Sequence, residues 1–160
     1  MNKVAMNQTV AVIGSFKQYY NQVLSTIEAF RAEGIIVTSP TGADVMKPRI
    51  PFVRFTSDDP EFSDEMVQTI TLKRIMSSAA VYVVNPYGYV GKTTSYEIGR
   101  IIQSRKPIYF LNEPDDLPIK IPSSHIIEPK KLAELILSNS LCWPYESAIG
   151  EIFAAERSLI

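Results

Sequence analysis

The stretch TVAVIGSFKQYYNQVLSTIEAFRAEGIIVTSP, residues 9–40, decides the fold. Its opening, Thr9-Val-Ala-Val-Ile-Gly-Ser15, is a short β-rich apolar run ending in a glycine, the pattern of a buried strand. Helical spacing follows at once. Tyr20, Val23, Leu24, Ile27 and Phe30 fall on one apolar stripe, and Gly34 stands where a helix C-terminus favours glycine. Ile35-Ile-Val-Thr38 then returns to β character and is closed by Ser39-Pro40. Strand, helix and strand in about 30 residues make a βαβ unit, which implies a right-handed crossover and a parallel sheet.

The rest of the chain extends that unit. Residues Ser39–Phe62 are rich in Pro, Asp, Gly and Arg and read as a long loop with one short strand, Phe52–Phe55. A loop of that length is a candidate lid or ligand-binding arm, or else a surface excursion that contains the short strand. Ser63 is placed to cap a helix carrying Met66, Val67, Ile70, Ile75 and Met76 inward. Ala80–Asn85 reads as a third buried strand, followed by the turn Pro86–Gly91 and a helix from Thr94 to Ser104. A fourth strand is expected at Pro107–Leu111. The proline-rich Glu113–Pro122 then crosses to an expected fifth strand, His125–Ile127. A helix with Leu132, Leu135 and Ile136, and an amphipathic segment Tyr145–Leu159, complete the pattern. The expected class is α/β, a single domain over residues 1–160, built as a three-layer Rossmann-like or flavodoxin-like sandwich with a mostly parallel sheet. Such sheets bind ligands outside the carboxyl ends of their strands, which directs attention to Gly14-Ser15 and Asn85–Thr93.

Composition narrows the function classes. The 160 residues are 46% apolar and 21% charged, with a formal net charge of −1 and no basic block. Nucleic acid is therefore not the expected partner, because neutralising its backbone takes clustered Lys and Arg. A small anion stays within reach of a few backbone N–H groups and one Arg. The longest apolar stretches, such as Ala79–Val84, fall far short of the roughly 20 residues that span a bilayer. MNKVAMNQ at the N-terminus has no signal-peptide core. Cys142 is the single cysteine and His125 the single histidine, so neither an intrachain disulfide nor a structural zinc site is expected. A reducing, cytoplasmic setting and no cofactor are the resulting expectations.

The most informative segment is Asn85-Pro-Tyr-Gly-Tyr-Val-Gly-Lys-Thr-Thr-Ser-Tyr-Glu-Ile-Gly99. Gly91-Lys92-Thr93 between a strand and a helix invites a phosphate-loop reading. The spacing rejects it, because that motif needs a glycine where Pro86 stands. What remains is a glycine-containing turn opening a helix, with Glu97 expected in its first turn. The hydroxyls of Thr93, Thr94 and Ser95 and the N–H groups there suit a ribose hydroxyl or a phosphate. By spacing alone Thr94-x-x-Glu97 reads first as a capping box, in which the glutamate bonds back to the cap residue.

Gly14-Ser15-Phe16, Ser39-Pro40 and the run Val-Val-Asn-Pro…Gly-Tyr-Val-Gly-x-Thr-Thr-x-Tyr-Glu97-Ile-Gly99-Arg100 resemble the nucleoside 2-deoxyribosyltransferase-like family. Its members include nucleoside deoxyribosyltransferases and 2′-deoxynucleoside 5′-monophosphate N-glycosidases, and the resemblance covers roughly Thr9 to Phe110. It implies that Glu97 is the nucleophile, that Gly14 and Ser15 help hold the sugar or its 5′ end, and that the protein is a homodimer or larger. The apolar segment Ala148–Ala155 is a candidate for such a contact. Phe16, Asn85, Tyr89, Gly91, Thr93 and Thr94 complete the expected substrate-binding set. The chemistry suits a lone carboxylate, which stabilises an oxocarbenium-like state at C1′ or forms a glycosyl ester with it.

The sequence departs from the family at two places. Asn85 stands where the transferases usually carry an aspartate, and Gly91 where they often carry another acid. Candidates for the proton donor or base contact are therefore Asp44 and Asp58, with Asp59 and Asp64 behind them. Arg49 and Lys92 lead the candidates for a 5′-phosphate contact, ahead of Lys47, Arg54 and Arg100. Tyr87 and Tyr89 flank the turn and suit stacking on a base. His125 reads as structural, and Cys142 with Trp143 as packing. Two alternatives stay open: a non-catalytic nucleotide sensor that uses Glu97 as a ribose-binding cap, and a phosphoribohydrolase of the cytokinin-activating type, whose glycine-rich motif is loosely echoed at Pro86–Glu97.

Overall fold

Five consecutive residues without a charge, Ala80–Val84, are stable in a strand only where both of its faces are covered. In the computed structural model, which describes residues 7–40 and 60–160, they form a fully buried strand inside the sheet. The strands are β1 (Thr9–Gly14), β2 (Ile36–Ser39), β3 (Ala80–Val84) and β4 (Ile108–Phe110), in the order β2-β1-β3-β4 and all parallel. β1 and β3 run in register from Val10 beside Ala80 to Gly14 beside Val84. The expected βαβ unit and the α/β class are both present.

The helices are α1 (Tyr20–Ala32), α2 (Asp64–Ser77), α3 (Lys92–Gln103), α4 (Pro129–Leu137) and α5 (Glu151–Ser158). Alternate residues of each strand point to opposite faces, so one sheet builds two cores. Val10, Val12, Tyr82 and Val84 pack with Val23, Ile27 and Phe30 of α1 and with Leu132 and Ile136 of α4. Ala11, Ile13, Val81 and Val83 pack on the other face with Ile75 of α2 and with Ile98, Ile101 and Ile102 of α3. α2 and α3 are thus neighbours on one face. Both run antiparallel to the strands, so their N-terminal turns lie at the carboxyl edge of the sheet.

From β1 the chain moves outward to β2, whereas β3 and β4 lie on the other side of β1. The direction of winding reverses between β1 and β3. In an open parallel sheet that reversal leaves a crevice at the carboxyl ends, the usual place for a ligand.

Several boundaries differ from the sequence expectation. α3 starts at Lys92 rather than Thr94, with Gly91 as its N-cap. The fifth strand is replaced by a turn of 3₁₀ helix at Ser123–His125, after which Ile126 makes a single parallel bridge to Phe110. Proline at position 122 fixes the backbone ahead of that turn, and β4, only three residues long, offers little edge to pair with. The C-terminal segment is helical only from Glu151, because Gly150 takes a φ of 109°. Met66 points outward, 49% exposed, while Val67 and Ile75 carry the inward face of α2. The expected strand Phe52–Phe55 lies outside the described residues. Among those that are described, no helix is long and apolar enough to cross a membrane.

Candidate functional site

β1 and β3 end side by side because Gly14 has no side chain. Its φ is +153°, and a Cβ there would stand 2.5 Å from the Val84 carbonyl oxygen. The chain then turns through Ser15, whose carbonyl accepts from Tyr19 N–H at 2.9 Å, into α1. Gly14, Ser15 and the half-buried Phe16 thereby stand at the carboxyl end of β1.

Asn85 directly follows β3. Its Nδ2 donates to Asn112 O at 2.7 Å and its Oδ1 accepts from Asn112 N–H at 3.0 Å. Asn112 Nδ2 returns a bond to Asn85 O at 3.3 Å. Both amide atoms of the fully buried Asn85 are therefore committed to joining the ends of β3 and β4. An aspartate here would lose the donor to Asn112 O, which gives a structural reason for an amide at this position.

The turn Pro86–Gly88 is pinned from beneath. Gly88 O accepts from Asp115 N–H at 3.0 Å, and Asp116 Oδ1 accepts from Val90 N–H at 3.1 Å. Gly88 has a φ of +81°, and a Cβ on it would come within 2.7 Å of Asp115 and of Glu113 O. Tyr87 also sits in the left-handed region, at φ 58°, although it is not glycine, and its side chain is left 87% exposed. Strain of this kind persists only where the surroundings impose it, and it concentrates at ligand-binding positions. The Tyr87 and Tyr89 rings lie 6.5 and 6.1 Å from that of Tyr19, so three tyrosines from the segments after β1 and β3 meet.

Behind this rim, α3 begins. Gly91 contributes no capping side chain; its carbonyl accepts from both the N–H and the hydroxyl of Ser95, each at 2.8 Å. Thr94 is buried within the first turn. Because the helix opens at Lys92, Thr94 cannot act as its N-cap, and the capping box suggested by Thr94-x-x-Glu97 does not form. Glu97 lies instead in the second turn, about 7 Å in from the helix start at 1.5 Å per residue.

Glu97 is 6% exposed, and its Oε1 accepts from Gln68 Nε2 of α2 at 3.2 Å. Burial pushes its carboxyl up to about 7, and the Gln68 bond pulls the other way. An ion pair would have held it low; the partner here is a neutral amide. A carboxyl poised near neutrality at the switch point of a parallel sheet is the strongest functional feature among the described residues.

Comparison with family models, curated proteins and solved structures finds no match. The site is therefore read from its own geometry.

Of the expected residues, Gly14, Ser15 and Phe16 stand at the end of β1, Tyr89 and Gly91 follow the turn after β3, and Thr94 and Glu97 are buried in the first two turns of α3. Thr93 and Lys92 stand in the first turn of α3, with Lys92 exposed. Asp44, Asp58, Asp59, Lys47, Arg49 and Arg54 lie outside the described residues. Asp64 is in the first turn of α2, where Ser63 caps the helix by accepting from Met66 N–H at 3.2 Å. Arg100 lies over the Tyr96 ring and donates to its hydroxyl at 3.1 Å, which keeps it on the outer face of α3. Gln68 was not anticipated. Its signal was present all the same: it stands seven residues before Ile75, a polar side chain on the inward stripe of α2.

Proposed function

We propose that the chain cleaves or transfers the N-glycosidic bond of a nucleoside or its 5′-monophosphate, with Glu97 as nucleophile. The observation that carries the reading is the buried Glu97 carboxylate, held by a neutral amide at the sheet's switch point. A carboxylate oxygen bonds to C1′ while the C1′–N bond breaks. The electron pair leaves with the base nitrogen, which takes up a proton. Water, or the nitrogen of an acceptor base, then displaces the glycosyl ester and restores the carboxylate. Burial serves this chemistry, since a poorly solvated carboxylate stabilises developing positive charge better than one in bulk water.

The rim supports the same reading. Tyr87, Tyr89 and Tyr19 offer aromatic surface on which a base can stack. The start of α3 with Lys92 suits a sugar hydroxyl or a 5′-phosphate. Asp44 and Asp58 as candidate proton donors, the family-like homo-oligomer and a cytoplasmic setting belong to the same proposal.

The test is incubation of purified protein with ribo- and deoxynucleosides and their 5′-monophosphates, with and without an acceptor base, followed by chromatography. Base release that disappears in Glu97→Ala supports the reading, and new nucleoside formed only with acceptor makes the protein a transferase. A nucleotide bound equally by both proteins and cleaved by neither would mark a sensor instead.

A further inference from the structure

Taking Glu97 as the nucleophile, we propose that Gln68 is its positioning residue. The amide N–H of Gln68 holds Oε1 of Glu97 and leaves the other carboxylate oxygen to face the reacting carbon. The contact joins two helices rather than neighbours in one turn, so it fixes the carboxylate relative to the sheet edge. α2 brings Gln68 there on a capped N-terminal segment, one turn beyond Ser63. Among the described residues no charged side chain contributes to the electrostatics of Glu97; burial and the Gln68 bond account for its behaviour.

The chemistry gives the amide a part in each half of the reaction. When one oxygen of Glu97 becomes the ester oxygen at C1′, Oε1 becomes the ester carbonyl and still accepts the Gln68 N–H. When water or an acceptor nitrogen attacks C1′, the C1′–O bond breaks and its electron pair returns to the carboxylate. The same N–H then stabilises the negative charge of that leaving group. An amide also serves the protonated acid, because turning over presents its carbonyl oxygen to the carboxyl O–H. A methionine of similar length provides neither contact, and a glutamate would set two acids against each other.

Two variants with opposite expectations make the test. Gln68→Met keeps the shape and removes the donor. Its plateau kcat should fall about tenfold with little change in KM, the loss of one hydrogen bond to a charged group. The rising limb of its pH–rate profile should move up by about one pH unit. Gln68→Lys adds a cation beside Glu97 and should move that limb down. In parallel, the Glu97 carboxyl is titrated by ¹³C NMR, assigned by its absence in Glu97→Gln, which needs no substrate.

If Gln68→Met folds normally and turns over with unchanged kcat, pH limb and carboxyl titration, the positioning role is overturned while Glu97 stands as nucleophile. If the titration moves but the wild-type protein cleaves no nucleoside or nucleotide, the contact is a helix-to-helix bond and the nucleophile reading fails with the positioning role.

Discussion

Glu97 and His125 are both buried, at different places in this fold, and their surroundings differ. His125, beside β4, is enclosed on every polar side. Its Nδ1 bonds Ile108 O at 2.9 Å, its Nε2 meets Cys142 Sγ at 3.5 Å, and its ring stacks on Tyr109 at 4.3 Å. Burial lowers its pKa, so it is neutral, and the stack and backbone bond are those of a packed core residue. Glu97, in the second turn of α3, has among the described residues a single neutral partner in Gln68 and a carboxyl raised to about 7. Burial alone is therefore no sign of function. What separates the two is their partners among the described residues: both ring nitrogens of His125 are engaged, whereas the bond made to Glu97 comes from Gln68.

The two groups also tilt stability in opposite directions. Glu97 binds its proton more tightly folded than unfolded, so between its ordinary 4.5 and about 7 stability is lost as the pH rises. His125 binds its proton less tightly when folded, so stability is lost as the pH falls through 6.5, its ordinary value. The largest expected effect comes from removing the first. Glu97→Gln should reduce turnover roughly a thousandfold or more, as removal of a nucleophile does. The same change should stabilise the fold at pH 8 by about 3 kcal/mol, the equivalent of a carboxyl moved from 4.5 to about 7. Denaturant titrations at pH 5 and pH 8 check this; an equal effect at both pH values would erase the contrast with His125.

His125→Phe keeps the stack on Tyr109 but strands Ile108 O, for a loss of about 1–3 kcal/mol. It should also remove part of the acid sensitivity, visible as a flatter melting temperature between pH 7 and pH 5, and leave the pH–rate profile where it was. Movement of that profile would place His125 in the chemistry. The smallest effect sharpens the picture of the rim. Tyr87→Gly relieves the left-handed backbone and should stabilise by about 1 kcal/mol. It should also weaken nucleotide binding by about 1 kcal/mol through lost stacking, measured by calorimetry on Glu97→Gln protein.

The fold was legible because its strands are continuous apolar runs and its first helix carries a regular stripe. Thr9–Gly14, Tyr20–Ala32 and Ala80–Val84 depend on local pattern and emerge close to where that pattern sets them. The late strand at His125–Ile127 was not, since a short apolar run does not reveal how much strand edge awaits it. The site was legible in part. The glycine turns and Glu97 are sequence-local, whereas the start of α3 was misplaced because Thr94-x-x-Glu97 satisfies a capping pattern while the chain is already helical at Lys92. Asn85 and Gln68 take their meaning from residues 27 and 29 positions away, Asn112 and Glu97, which no local pattern encodes.

The central claim is that Glu97 forms a covalent bond to the sugar. Its most direct test is mass spectrometry of the protein after incubation with a 2-fluoro-arabinosyl nucleoside, in which fluorine slows hydrolysis of a glycosyl ester. The account predicts one added glycosyl group on the peptide containing Glu97, and none in Glu97→Gln. Release of base from a natural nucleoside that continues in Glu97→Gln, or a glycosyl group found on another residue, would contradict it.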